Sequence, residues 1–181
     1  MYYQIGEEKY MQMALELARE AYDAGEVPVG CVVVCDGKVV GRGRNRREED
    51  QNALLHAECI AIQEACRTLG SWRLTDCDLY VTLEPCPMCA GAILNARIPR
   101  VVYGAADKKA GACGTNLNLM QAPNYPHPTV ERGVLEAECT ALLQAFFQNM
   151  RADPKPRIDW KARRREKLAE LAARQNEGKN V

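Results

Sequence analysis

The sequence predicts an α/β fold in which helices cover both faces of a mixed β-sheet. Two adjacent strands occur early in the chain, and strands then alternate with helices, which is the pattern of such a sheet. The length of 181 residues allows one domain with a sizeable core, together with an appendage.

The amino-terminal part of the chain predicts a helix followed by a β-hairpin. Apolar residues recur at three- and four-residue spacing over 7–24, as in an amphipathic helix, and Gly25 ends the pattern. The β-rich segments VGCVVVC (29–35) and KVVGRGR (38–44) flank an Asp-Gly pair, which is a strong hairpin turn.

The middle of the chain predicts alternating helices and strands. A helix is expected over about 57–69, closed by Gly70, and DLYVTLE (78–84) has the composition of a strand. PCPMCAGAILNA (85–96) predicts a helix that begins at two thiols, with a proline tolerated in its first turn. RVVYGA (100–105) predicts a further short strand.

The last third predicts a long loop and two helices. Residues 104–128 are rich in Gly, Asn and Pro, and a loop of that length in a compact domain is usually functional. Helices are expected over about 135–150 and, as an exposed helix, over 160–175. We therefore expect a domain at 1–151 and a basic extension at 152–181 that is helical or disordered.

The net charge of zero hides an asymmetry along the chain. Residues 151–181 hold ten Lys or Arg and five Asp or Glu, which leaves 14 of 24 basic and 19 of 24 acidic residues for the rest. A global charge argument for nucleic-acid binding therefore fails. Neither a secretory signal nor an apolar run of about 20 residues is visible, so we expect a cytoplasmic protein without a membrane partner.

Three residues form a candidate zinc site. The nine cysteines, in a reducing compartment, are best interpreted as metal ligands, nucleophiles or small buried residues. The C-x-x-C pair of Cys86 and Cys89 fits redox, structural-zinc and catalytic-zinc sites alike. His56, at another predicted helix start, completes a three-ligand set, and three ligands with one open position are typical of catalytic zinc. The seven other cysteines are interpreted as packing residues.

Glu58 indicates a chemistry for this site. It lies two residues after His56, close enough to transfer protons at a zinc-bound water without being a ligand itself. The combined pattern H-x-E followed by P-C-x-x-C is the recorded signature of zinc deaminases of cytosine and adenine.

Longer stretches carry a family resemblance. They are GEVPVGCVVV (25–34), GRGRN ending at Asn45, HAE (56–58), YVTLEPCPMCAGAILNARIPRVVYGA (80–105), DKKAGACG (107–114) and AECTALLQAFF (137–147). Through them the chain resembles the bacterial tRNA-specific adenosine deaminases, of the cytidine-deaminase-like superfamily, from about residue 7 to 151. The resemblance implies a three-layer α/β/α sandwich with a mixed, roughly five-stranded central sheet. It also implies one Zn²⁺ per chain and a homodimer that converts adenosine to inosine at the wobble position of a tRNA anticodon.

The resemblance also implies roles for individual residues. His56, Cys86 and Cys89 match the zinc ligands, and Glu58 matches the proton shuttle. The partner is a tRNA anticodon stem-loop, with no DNA expected. The residues that match substrate or anticodon contacts are Asn45, the backbone N–H of Ala57, Asp107, Lys109, Phe146, Phe147 and Arg151.

Two departures and two alternatives accompany this interpretation. Residues 52–55 read Asn-Ala-Leu-Leu where many relatives carry Asp-Pro-Thr-Ala, and Gln148 stands where some have a basic residue.

A deaminase of a free base or nucleoside, such as guanine or cytosine, would use the same zinc and glutamate. A zinc-binding module without catalysis would instead need a fourth protein ligand and no Glu58.

Overall fold

The computed structural model describes residues 4–153 and 160–177. The chain divides into two compact units, residues 1–148 and 149–181. The elements in chain order are α1 (Gln4–Asp23), β1 (Gly30–Cys35), β2 (Lys38–Arg44), α2 (Ala57–Leu69), β3 (Cys77–Leu83), α3 (Pro87–Ala96), β4 (Arg100–Ala105), a 3₁₀ turn (Leu119–Gln121), β5 (Thr129–Arg132), α4 (Glu136–Ala152) and α5 (Trp160–Glu177). None of the described helices is both long and apolar enough to cross a membrane.

The five strands form one mixed sheet in the order β2-β1-β3-β4-β5. Strand β1 runs antiparallel to both β2 and β3, whereas β3, β4 and β5 run parallel to one another. Because the carboxyl ends of parallel strands meet at one edge, the segments after β3 and β4 leave the sheet side by side, where α/β proteins commonly bind ligands.

Helices cover both faces of the sheet and make three layers. On one face, alanines of α2 and Ile93 of α3 share an apolar cluster with strand residues such as Val33 and Val81. On the opposite face, Met11 of α1 and Cys139 of α4 pack with alternate strand residues. The three central strands β1, β3 and β4 thus bury side chains on both faces, as expected for a sheet between helical layers. The predicted three-layer α/β/α fold is confirmed.

Glycines in β2 set the position of helix α2. A Cβ on Gly43 would lie 2.1 Å from the backbone oxygen of Ala57, and one on Gly41 would lie 2.2 Å from that of Ala61. No side chain therefore fits between β2 and the first turns of α2, and the helix backbone rests directly on the strand. This close packing fixes the start of α2, where His56 and Glu58 lie.

Strand β5 was not expected from the strand pattern of the sequence. Its four residues, Thr129–Arg132, are mostly polar and none of them is fully buried, so they lack the apolar alternation that marks a strand. The predicted loop contains one short 3₁₀ turn. The exposed helix predicted near the carboxyl terminus is present as α5, while the extension's residues 154–159 and 178–181 lie outside the described residues.

Candidate active site

Three predicted zinc ligands converge at the amino-terminal ends of two helices. His56 is the N-cap of α2, Cys86 is the N-cap of α3, and Cys89 lies in the first turn of α3. The Nδ1 atom of His56 lies 3.7 Å from the Sγ of Cys86 and 3.6 Å from the Sγ of Cys89. All three ligand atoms lie within 4.8 Å of one another, so the group could hold one metal ion.

The electrostatic surroundings favour a thiolate at Cys86. The neighbouring Cys89 and then His56 donate hydrogen bonds that lower the pKa of Cys86 to about 3, against the cost of burial. The positive end of the α3 dipole acts in the same direction. A deprotonated thiol is the form that binds a metal ion.

Cys59 lies beside the three converging residues without joining them. Its Sγ atom lies 3.9 Å from the Sγ of Cys89. The group that could hold a metal contains, within the described residues, His56, Cys86 and Cys89 alone. Cys59 thus packs against a predicted ligand, and nothing in this contact contradicts the packing role predicted for it.

A cavity of about 190 Å³ opens beside the three ligands. His56, Ala57, Glu58 and Cys86 line one part of it, and Asn45 and Asp107 are also among the lining residues. Glu58 is only 4% exposed, and burial raises the pKa of its carboxyl group. Ala57 is fully buried in the first turn of α2, where backbone N–H groups have no acceptor within the helix.

Asn45 is held at the cavity by a buried carboxylate. Its Nδ2 donates to Oε2 of Glu26 over 3.2 Å, and its backbone N–H donates to the carbonyl of Val29 over 3.0 Å. The other oxygen of Glu26 accepts the backbone N–H of Glu49 over 2.7 Å. The bond from Nδ2 to Glu26 thus fixes the orientation of the Asn45 amide group in the wall of the cavity.

A second buried carboxylate, Glu84, organises the loop after β4. Its two oxygens accept the backbone N–H groups of Asp107, Cys113 and Thr115 at 3.1, 3.0 and 3.1 Å. Gly111 packs so closely that an added Cβ would lie 2.3 Å from the Glu84 carboxylate. Glu84 directly follows β3 and is 2% exposed, so one side chain connects the strand beside the cysteines to this loop.

Comparison with known proteins identifies the family. The model for the zinc-binding region of cytidine and deoxycytidylate deaminases matches residues 5–105, more than half of the chain. The chain belongs to this deaminase family. It is 48% identical over 150 residues to a tRNA-specific adenosine deaminase of Bacillus subtilis, a match that covers 82% of this chain and 93% of that one.

Two solved structures place the deaminase among its relatives. A tRNA:A34 deaminase, studied for A-to-I editing at the wobble position, matches with a TM-score of 0.71 and 45% identity, over 74% of this chain and 98% of the other. A guanine deaminase from Nitrosomonas europaea matches with a TM-score of 0.69 and 26% identity, over 77% and 83% of the two chains. The predicted membership of the tRNA-specific adenosine deaminases is confirmed.

The donor set of this deaminase fits zinc. One imidazole nitrogen and two thiols within 4.8 Å of one another are the nitrogen and sulfur ligands that Zn²⁺ prefers. The described part of the chain supplies three such donors, as catalytic zinc sites do, whereas a structural zinc site usually takes four.

The residues expected to contact RNA differ in how exposed they are. Lys109 is exposed, whereas Asp107 lines the cavity and its Oδ1 accepts the backbone N–H of Lys109 over 2.8 Å. Phe146 is buried with its ring 5.6 Å from that of Tyr22, so it packs in the core. Phe147 is 42% exposed, and Arg151, in the second unit, is exposed as well.

Sequence reasoning missed the two buried carboxylates, Glu26 and Glu84. Each lies inside a stretch that carries the family resemblance, but nothing in its immediate sequence shows that it accepts hydrogen bonds from a distant loop. A usable signal existed for Glu84: a charged residue directly after an apolar strand lies at the sheet edge and must be hydrogen-bonded if buried.

Replacing Glu84 with glutamine should loosen the loop that it holds. The amide presents a donor to backbone N–H groups that need an acceptor, and it removes charge-assisted bonds worth about 1.5–3 kcal/mol each. We expect faster hydrogen exchange at the amides of residues 107, 113 and 115, by about tenfold or more, with zinc content unchanged. Glu64→Gln is the matched control, since Glu64 accepts only an exposed backbone N–H from Arg42. Equal protection in both variants would contradict the assignment.

Proposed function

We propose that this protein is a zinc-dependent hydrolase that converts adenosine to inosine at the wobble position of a tRNA anticodon. The observation that carries the proposal is the position of Glu58, buried in a cavity beside an open three-donor metal site. The high identity to tRNA-specific adenosine deaminases supports adenosine in tRNA as the substrate.

His56, Cys86 and Cys89 are proposed to hold the zinc ion, one per chain. When bound there, zinc supplies Lewis-acid activation of a water molecule near neutral pH. Helix α2 packs closely on β2, and α3 starts directly after β3. These two positions keep the three ligand atoms close together without help from a substrate.

Glu58 is proposed to move the protons of the reaction. It takes a proton from the attacking water and delivers it to the ring nitrogen beside C6 of adenine. It then takes the second proton, from the new hydroxyl group on C6, and passes it to the leaving amine as the C–N bond breaks. Adenosine and water thus give inosine and ammonia. Burial raises the pKa of Glu58, which favours the protonated carboxyl group that the second half of the reaction requires.

Asn45 and Ala57 are proposed to hold the base. Asn45 offers its amide oxygen inside the cavity, and the Ala57 N–H lies in the first turn of α2, where it can donate to the substrate. An anticodon loop is single-stranded and partly unstacked, so little free energy is needed to expose its base to this cavity.

The remaining RNA contacts are proposed from Asp107, Lys109, Phe147 and Arg151. Asp107 orders the turn that carries Lys109, and the exposed Phe147 ring can stack on a base. Phe146, which the resemblance also matched, packs in the core and supports Phe147 through a ring contact at 5.5 Å.

Lys109→Ala should weaken RNA binding and flatten its salt dependence. Loss of one phosphate contact lowers the slope of log affinity against log salt by about 0.7 to 1. Fluorescence anisotropy with an anticodon stem-loop at several salt concentrations measures this slope, and zinc content should not change. Lys38→Ala is the control, because Lys38 is also exposed and lies in the hairpin at the opposite end of the sheet. An unchanged slope for Lys109→Ala would remove Lys109 from the interface.

The decisive test compares substrates. Inosine formation in an anticodon stem-loop should far exceed deamination of free adenosine, guanine or cytosine under the same conditions. The alternative of a small-molecule deaminase is favoured by one observation, the likeness to a guanine deaminase. Turnover of a free base or nucleoside as fast as that of the stem-loop would establish this alternative instead.

The basic extension at 152–181 is proposed to be an appendage of a deaminase domain at 1–151. Truncation after Arg151 should therefore leave zinc binding and deamination of the anticodon stem-loop intact. The affinity for RNA should fall modestly, by about threefold. Binding and turnover of the truncated and full chains measure this. Loss of zinc or of folding on truncation would make the extension part of the domain.

Assembly and location are proposed from the same family membership. We expect a homodimer in the cytoplasm, which light scattering of the purified protein would test. Neither a membrane nor DNA is among the proposed partners.

A further inference from the structure

A thiol that the proposed reaction does not use lies next to the metal site. Cys59 follows Glu58 in the first turn of α2, and its Sγ atom is 3.9 Å from that of Cys89 in α3. Cys59 is half-buried, whereas Cys89 is fully buried. The two thiols belong to different helices and are 30 residues apart in the chain.

The contact is specific to Cys59 among the cysteines of α2. Cys66 lies two turns further along the same helix, is also half-buried, and packs on the apolar core. Cys59 in turn is not one of the three residues whose ligand atoms converge. Its thiol is therefore in van der Waals contact with a proposed ligand without being one.

We propose that Cys59 and Cys89 are a peroxide-sensitive disulfide site whose formation releases the zinc ion. The proposal goes beyond the deaminase reaction and rests on the zinc ligands alone, not on the RNA substrate. A disulfide between these residues removes one of three protein ligands, and two remaining donors bind zinc far more weakly.

The chemistry needs one two-electron oxidant, hydrogen peroxide. The Cys59 thiolate attacks one peroxide oxygen, which gives a sulfenic acid on Cys59 and one hydroxide ion. The Cys89 sulfur then attacks the Cys59 sulfur and expels the second hydroxide, so that the S–S bond forms as the bond between Cys89 and zinc breaks. The proton of the Cys59 thiol and one proton from the solvent convert the two hydroxides into two water molecules. Both cysteines are oxidised by one electron each, and the peroxide takes up both electrons.

Metal ligation favours this pair over Cys86 and Cys89. Cys59 and Cys86 are both half-buried, so exposure alone does not distinguish their thiols. In the zinc-bound protein, Cys86 and Cys89 would share their sulfur electrons with the metal, whereas Cys59 would not, so Cys59 is the thiol that peroxide oxidises first. A disulfide bond of roughly 2.05 Å then requires the two sulfur atoms, which are 3.9 Å apart, to approach by about 2 Å.

The test uses the full zinc-loaded protein and hydrogen peroxide. Zinc release is followed with a metal-sensitive dye, and disulfides are located by non-reducing peptide mapping. The variants are Cys59→Ser, Cys59→Ala and the matched control Cys66→Ser. We expect the wild-type protein and Cys66→Ser to release about one zinc per chain as a peptide pair joining residues 59 and 89 appears. Both Cys59 variants should release zinc about tenfold more slowly.

Three results would overturn the proposal. The first is zinc release from both Cys59 variants as fast as from the wild-type protein. The second is a disulfide that joins Cys86 to Cys89 in place of Cys59. The third is absence of zinc from both Cys59 variants before oxidation, which would make Cys59 a ligand. Inosine formation by the unoxidised protein, measured in parallel, reports on the proposed function separately.

Discussion

Replacing Glu58 with alanine is expected to lower deamination by about 100- to 10,000-fold, the usual contribution of a positioned acid–base group. The carboxyl group is buried in the cavity, so no solvent-exposed side chain can take over its proton transfers. Zinc content and RNA affinity should stay close to those of the wild-type protein, because Glu58 is not among the three converging donors. The loss then appears in kcat rather than in binding.

Single-turnover inosine formation, zinc analysis and RNA binding together measure this outcome. Glu58→Gln keeps the shape of the side chain and should be nearly as inactive, since an amide does not transfer protons. Gln63→Ala, on the exposed side of the same helix, is the control and should be fully active. Wild-type turnover by Glu58→Ala would support a zinc-binding module without catalysis.

Replacing either cysteine of the C-x-x-C pair with serine is expected to remove zinc and, with it, all measurable activity. A serine hydroxyl is not deprotonated near neutral pH and is a poor ligand for zinc compared with a thiolate. Cys86 and Cys89 each supply one of only three converging donors, so neither loss is compensated within the described residues. Loss of a structural contribution from the metal should also lower the melting temperature.

Metal analysis of the purified variants measures this outcome directly. Cys86→Ser and Cys89→Ser should contain little zinc, whereas Cys59→Ser and Cys66→Ser should each hold about one ion per chain. Equal zinc in the Cys86, Cys89 and Cys59 variants would exclude the proposed ligand set. His56→Ala should behave like the two ligand cysteine variants.

The parts of the fold that were predictable are those encoded locally. The β1–β2 hairpin follows from an Asp-Gly turn between β-rich segments, and α2 ends at Gly70, which has the left-handed conformation that glycine adopts readily. The end of α3 at Ala96 was predicted correctly as well, although Arg97, with φ of 63°, takes the position that glycine usually fills.

The parts that were not predictable depend on distant pairs. Strand β5 is defined by its parallel partner β4 rather than by its own short and polar sequence. Cys59 meets Cys89 because α2 and α3 lie on the same face of the sheet, and Glu84 meets the backbone of residues 107–115 across a loop. Sequence spacing shows which residues can bind a metal, but only the packing of the helices shows which other groups contact them.

Glu84 holds its loop through the backbone, so the course of the loop and the identity of its exposed side chains can change independently. All three hydrogen bonds to Glu84 come from backbone N–H groups, and any residue except proline supplies such a donor. The side chains of Lys108 and Lys109 are exposed and take no part in these bonds. Substitutions there are therefore expected to leave the course of the loop unchanged. Under the proposed function, such substitutions alter the contacts with RNA without altering the metal-binding framework.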